Sequence, residues 1–256
     1  MKHSEAQSKG ILPVYLTVEE MRRFRLQTEE RPSETGGTRF QGSTTPDLAL
    51  QLLPRDGVIL ECGPHFGMFT KFLQEHGFQN IHALDVVDVL HFSDRRRVTF
   101  HEIDFNTERM PYPDNYFDGI TAWGIIEHME NPYHFLREAH RVLKPGAPLL
   151  LSLPNVLHVM SRIWFLRTGV FPRWNERTNH IFVLPRGVFE KTVLRYFDLA
   201  ATRFTQPGNL TMNRKYVKVG LGYRLLDFIF QCLPANEWFG NYVVYVLRKK
   251  AENLVI

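Results

Sequence analysis

Glu61-Cys62-Gly63-Pro64-His65-Phe66-Gly67 follows a short apolar run, Val58-Ile59-Leu60, and leads into a helical stretch that starts at Met68. A glycine-rich turn between a strand and a helix lets a ligand approach the backbone closely. The helix start then offers free N–H groups and a partial positive charge to an anion. A purely structural turn accounts for the same glycines equally well. Asp85 closes a second apolar run about twenty residues further on, where a carboxylate can accept both hydroxyls of a ribose. Asp88 is the alternative at that place, and a loop or helix-cap role the plainer one. Asp104 follows a third run, and Phe105 beside it is ordinary core or a ring that packs on a flat ligand. His128 follows a fourth run, and His180 lies in an aromatic segment. A neutral imidazole titrates near neutral pH and can take a proton from an acceptor. Tying a loop to the sheet is the other role open to His128.

Two nucleotide motifs fail on spacing. The dinucleotide fingerprint from Gly63 needs glycine where His65 and Met68 stand. A phosphate-binding P-loop needs Gly-Lys where Met68-Phe69 stand.

The positions of these residues imply a particular frame. Thr45-Pro46-Asp47 starts a helix, with a hydroxyl cap and Pro at the first helical position, that runs to about Leu53. Strands and helices then alternate: strands at 58–60, 80–84, 97–103, 117–122 and 147–153, with helices at 68–76 and 132–143. Later come a helix from about Pro185 to Tyr196 and strands at about 199–204 and 241–247. Short continuous apolar runs separated by helices argue for a parallel sheet covered on both faces. Residues 28–43 read as a loop, and 205–240 carry little pattern.

Composition narrows the class. The chain has 256 residues, 44% of them apolar, enough for one large domain. Its two cysteines are far apart, which excludes a disulfide framework and suits a reducing compartment, expected to be the cytoplasm. The polar start, Met1 to Gly10, lacks the apolar core of a signal peptide. No apolar run reaches the roughly eighteen residues of a spanning helix. The net charge of +4 and scattered basic clusters read as solvated faces rather than a nucleic-acid surface, and leave a weak attraction to an anionic membrane surface open.

The stretch V-I-L-E-C-G-P-H-F-G-M-F-T resembles the first motif of class I S-adenosylmethionine-dependent methyltransferases. Glu61, Gly63 and Gly67 match; His65 replaces the middle glycine, where a side chain narrows the pocket or meets the cofactor. The later stretches P-Y-P-D-N-Y-F-D, E-H and R-V-L-K-P-G resemble that family's further landmarks, in order, over about residues 45–205. The resemblance implies a doubly wound, mostly parallel seven-stranded α/β sheet of Rossmann-like type, with an antiparallel last strand. It implies S-adenosylmethionine as cofactor, Asp85 on its ribose, Asp104 on its adenine amino group and Phe105 beside the ring. Trp123, at the carboxyl edge of strand four, is expected to border the cofactor. Pro113, Asp114, Phe117 and Asp118 are read as structural. Relatives that hold a divalent metal carry Glu where this chain has Gly124, so no metal is expected.

Residues 156–184 are too long for an ordinary loop and are read as a lid insertion within a domain spanning 45–256, after an extension at 1–44. The segment resembles methyltransferases of bacterial surface-polysaccharide and lipid-linked glycan synthesis at Arg162, Phe165, Gly169 and His180. The expected activity is O-methylation of a small molecule or glycan, with His128 or His180 at the acceptor. A quinone or lipid precursor as acceptor, or a non-catalytic cofactor-binding protein, are the rival readings.

Overall fold

The computed structural model describes residues 16–28, 44–174, 178–207, 229 and 232–251. Seven strands form one sheet: β1 (Val58–Cys62), β2 (Asn80–Asp85), β3 (Val98–Glu102), β4 (Gly119–Trp123), β5 (Pro148–Pro154), β6 (Phe197–Phe204) and β7 (Tyr242–Lys249). Their order is β3-β2-β1-β4-β5-β7-β6. The first five pair in parallel, and β7 runs antiparallel between β5 and β6. The chain builds outward from β1 in one direction, then restarts at β4 in the other. The crevice between the carboxyl ends of β1 and β4 is therefore the switch point at which open α/β sheets bind ligands.

The period of two along each strand divides the core into two layers. Ile59, Leu150 and Val244 face one side, with Phe69 and Leu73 of α3 (Met68–Glu75) and Ala49 of α2 (Thr44–Leu52). Leu60, Leu149 and Leu151 face the other, with Phe135, Ala139 and Val142 of α4 (Pro132–Val142) and Phe189 and Val193 of α6 (Arg186–Tyr196). All seven residues of β5 are buried, as a central strand covered on both sides requires. Asn131 caps α4, accepting from the His134 amide at 3.2 Å, and Pro132 follows at its first position. Asp118 ties the start of β1 to the far side of the sheet: it accepts from the Val58 amide at 2.9 Å and from Lys144 Nζ at 2.7 Å. Phe117 makes an isolated bridge to Leu143, so β4 starts two residues later than the apolar run.

Among the described residues two further helices lie outside the alternation. α5 (Val159–Thr168) falls inside the expected lid. α1 (Val18–Thr28) falls inside the expected extension, where no element was anticipated. Its start carries a reciprocal cap: Thr17 Oγ1 accepts from the Glu20 amide at 3.3 Å, and Glu20 Oε2 accepts from the Thr17 amide at 2.9 Å. Val18 and Met21 pack on the cluster of Phe66, Val86, Val87 and Val89. α1 thereby lies against the glycine turn and the end of β2. Among the described residues no helix is long and apolar enough to cross a membrane.

Candidate active site

The glycine turn takes its shape from three left-handed residues, Gly63 (φ +72°), His65 (φ +51°) and Gly67 (φ +81°). A Cβ on Gly63 would stand 2.4 Å from Ile125 Cγ2. Glycine is therefore what lets the β1 and β4 turns touch. His65 adopts this backbone at a cost of roughly 1–2 kcal/mol. Its ring is half-buried, with Nδ1 unpartnered, and burial plus nearby Arg25 bring its pKa down to about 4. Glu61 does not face the turn. It is buried under α3, where Thr70 Oγ1 donates to it at 2.7 Å, and burial pushes its pKa up to about 8. Its part in the site is to brace β1 against α3.

Asp85 closes β2 with its carboxylate buried beside the glycine turn. Oδ2 accepts from the His65 amide at 3.2 Å and Oδ1 from the Val86 amide at 2.7 Å. Arg25 of α1 forms an ion pair with Oδ1, and Arg22 Nε donates to the Val86 carbonyl at 2.8 Å. The expected ribose carboxylate is thus covered by a guanidinium from 60 residues upstream. Asp88 points elsewhere, to Arg95 Nε at 2.6 Å.

Three expected cofactor residues are otherwise engaged. Asp104 Oδ1 accepts from the Asn106 amide (2.8 Å) and side chain (2.9 Å), and Oδ2 accepts from Thr107 Oγ1 at 3.0 Å. The carboxylate thus folds its own turn first, and a ligand would find only its remaining lone pairs. Phe105 is core, edge-on to Phe135 at 5.5 Å. Trp123 is also core, edge-on to Phe69 at 5.6 Å on the α2–α3 side, with Nε1 buried and unpartnered. The periodicity of a strand end gives no sign of which face its last side chain takes once the backbone turns.

The other half of the crevice is the turn after β4, a 3₁₀ turn over Ile126–His128. His128 Nδ1 lies 2.7 Å from the Asn179 carbonyl, so the imidazole donates there and leaves Nε2 with a lone pair. The Ile181 and Phe182 amides both donate to the Glu127 carbonyl, at 2.8 and 3.1 Å. This docking brings the His180 ring to 4.7 Å from that of His128. Trp174 covers His180 at 5.3 Å, and its Nε1 donates to the Phe182 carbonyl at 3.0 Å. The two expected imidazoles therefore form one pair. Glu127 joins them, almost wholly buried, with Oε2 unpartnered and its pKa raised to about 8 by burial. His180 Nδ1 is likewise unpartnered, and burial together with the His128 ring and Arg173 lowers its pKa to about 3. Burial also lowers that of His128.

Glu127, His128 and His180 each offer a ligand atom, all within 4.8 Å of one another, a cluster that linear spacing did not disclose. Arg25 acts on His128, and Arg173 acts on Glu127 and His180. Two guanidiniums nearby oppose a second cation and favour a neutral or anionic occupant. Arg25, Arg173 and Asn179 are site residues that the sequence reading did not assign, whereas Glu127 stood in its E-H landmark. Asn179 carried a signal as well, as the neighbour of His180. Leu16 N, from 163 residues upstream, donates to its Oδ1 at 2.9 Å.

A family model described as a methyltransferase domain matches residues 39–198. The chain belongs to this methyltransferase family. Its strand order is that of the class I S-adenosylmethionine-dependent methyltransferase fold, in keeping with the family match. The chain is 43% identical over 67 residues to the ubiquinone/menaquinone biosynthesis C-methyltransferase of Vibrio cholerae serotype O1, a stretch covering 25% of each chain. It is 42% identical over 56 residues to the 27-O-demethylrifamycin SV methyltransferase of Amycolatopsis mediterranei, covering 22% of this chain and 20% of that one. The alignments thus span about a quarter or less of these curated relatives. The crystal structure of Burkholderia thailandensis 1,6-didemethyltoxoflavin-N1-methyltransferase, with 1,6-didemethyltoxoflavin and S-adenosylhomocysteine bound, superposes with a TM-score of 0.57 at 16% identity, covering 94% of this chain and 95% of that one. The three names concern methyl transfer to carbon, oxygen and nitrogen, so the fold does not fix the acceptor atom.

The crevice fits the cofactor. The left-handed turn at Gly63–Gly67 exposes backbone at the switch point, and a buried carboxylate, Asp85, lies beside it. Asp85 would hold the ribose and the turn the methionine portion, once Arg25 yields or shares its oxygen. When bound, the group supplies an electrophilic methyl on a good leaving group.

Proposed function

We propose that the enzyme O-methylates a hydroxyl of a small molecule or a glycan, including a lipid-linked sugar, with the acceptor held against His128 and His180. The observation that carries this reading is the convergence of two half-buried, neutral imidazoles on the turn after β4. Methyl transfer needs alignment and exclusion of water more than it needs acid or base strength. A hydroxyl also has to lose its proton as the new bond forms, and a neutral imidazole takes it. His128 is the better placed base, because its Nδ1–H is fixed on the Asn179 carbonyl and its other nitrogen is the acceptor. Asn179 is a positioning residue, and the segment that carries it closes the pocket. The enzyme works in the reducing cytoplasm, where its free cysteines stay reduced.

The test is mass spectrometry of the protein incubated with cell extract and S-adenosylmethionine labelled at its methyl group. The expected product carries the label on oxygen, and its yield persists in excess chelator. Label on carbon would favour a quinone or lipid precursor. Cofactor binding with no labelled product would favour a non-catalytic role. Loss of product that magnesium or zinc restores would overturn the metal-free reading of the Glu127–His128–His180 cluster.

A further inference from the structure

We propose that α5 and the turn after it dock on an anionic lipid surface, which delivers a lipid-borne acceptor to the imidazole pair. α5 is held at its first turns: the Val159 amide donates to the Trp238 carbonyl at 2.8 Å, and Arg162 reaches Glu237 at 2.6 Å and lies 4.0 Å over the Trp238 ring. Beyond that point Ile163, Trp164, Phe165 and Leu166 are all exposed, Leu166 at 86%. Four successive residues at about 100° each go most of the way round a helix, so apolar side chains stand on every side of this end, with Arg167 and Thr168 between them. Apolar surface of this extent belongs inside a core or in lipid, yet no residue of α5 is buried. Leu157, Val170 and Trp238 extend the exposed apolar surface.

Charge selects the occupant. From Asn155 to Asn175 the chain has three arginines and no carboxylate. Glu237 answers Arg162, while Arg167 lies in the last turn beside the apolar end. Trp, Phe and Leu next to arginine match an acyl layer beneath anionic headgroups. A second copy seated on the same patch would bring the same arginines against them. α5 is too short to span, so the contact is interfacial.

The surface also leads to the site. Phe165 stacks on Phe171 at 4.5 Å, Phe171 meets Trp174 at 5.8 Å, Trp174 meets His180 at 5.3 Å, and His180 meets His128 at 4.7 Å. A row of rings thus joins the exposed helix to the imidazoles. This last step rests on the proposed acceptor site, whereas the docking itself does not.

The test is co-sedimentation of the full chain with phosphatidylcholine vesicles, with and without phosphatidylglycerol. Binding is expected to be roughly tenfold or more stronger with the anionic lipid and to weaken in high salt. Trp164→Glu and Leu166→Glu should each lower it by roughly tenfold, while calorimetry shows unchanged cofactor affinity. Brominated lipid should quench the tryptophan emission of the wild type and much less that of Trp164→Phe. Absence of vesicle binding, or binding indifferent to both substitutions, would overturn docking. So would a wild-type dimer that Leu166→Glu splits, because the face would then belong to a second copy. If vesicles bind but His180→Ala transfers methyl to its acceptor at the wild-type rate, docking stands and the delivery route fails.

Discussion

At the end of β2 the Asp85 carboxylate is met by a guanidinium and two backbone amides, whereas at the end of β4 Glu127 is buried with one oxygen unpartnered and two neutral imidazoles beside it. The two turns touch through Gly63 and Ile125. They nevertheless solve opposite problems. The cofactor side must hold polar hydroxyls, so it keeps donors and an acceptor in fixed exchange, and a ligand enters by substitution. On the proposed reading the acceptor side lets a proton leave a hydroxyl; it keeps lone pairs on Glu127 and His180 uncommitted, and a ligand would enter by satisfying them. An unpaired buried polar group costs about 1–3 kcal/mol, which is tolerable where a substrate removes the cost.

This contrast breaks most visibly at His128. His128→Ala should lower turnover by roughly 100-fold or more while calorimetry shows nearly unchanged cofactor affinity, because general-base catalysis contributes on that scale. A parallel loss of cofactor affinity would mean that the two halves are not separate. Asp85→Ala should show the reverse, weakening cofactor binding by about 1–3 kcal/mol, the scale of a lost charge-assisted hydrogen bond. Unchanged affinity in a folded variant would remove Asp85 from the cofactor site.

Arg25→Ala sharpens the idea of entry by substitution. With the ion pair gone, cofactor should bind faster and up to roughly tenfold tighter, within the range of a partly buried pair. Weaker binding would instead make Arg25 part of the bound state. The smallest effect concerns stability. Glu127 titrates at about 8 in the fold, well above the ordinary carboxylate value of 4.5. The folded state then holds a proton that the unfolded chain releases, so this group lowers stability as pH rises from about 4.5 to 8. Glu127→Gln should therefore gain on the wild type between pH 5 and pH 8 in urea unfolding. A constant difference across that range would mean that Glu127 is not protonated in the fold.

The alternation of apolar runs and helices was legible because burial on both faces writes itself into consecutive residues such as Leu149-Leu150-Leu151. The glycine turn was legible because only a few residue types tolerate its backbone. α1 went unread although Thr17 and Glu20 spell a capping box, because most of its side chains are polar and its anchors, the Arg25–Asp85 ion pair, the Arg22 bond to Val86 and the packing of Val18 and Met21, are all long-range. Asp104 and Trp123 show the converse: position at a strand end was visible in the sequence, but engagement by the local turn or the core was not, while for Phe105 the core was one of two readings left open.

By itself, then, the sequence determined the sheet, its covering helices and the residue types at each strand end, since local propensity and periodic burial act over a few residues. Tertiary structure alone decided that Arg25 meets Asp85 across 60 residues and that the Asn179-His180 pair meets His128 across 51. Neither contact follows from periodicity. Each depends on where a connecting segment comes to rest on the sheet, which is settled by packing of surfaces that no local stretch of chain contains.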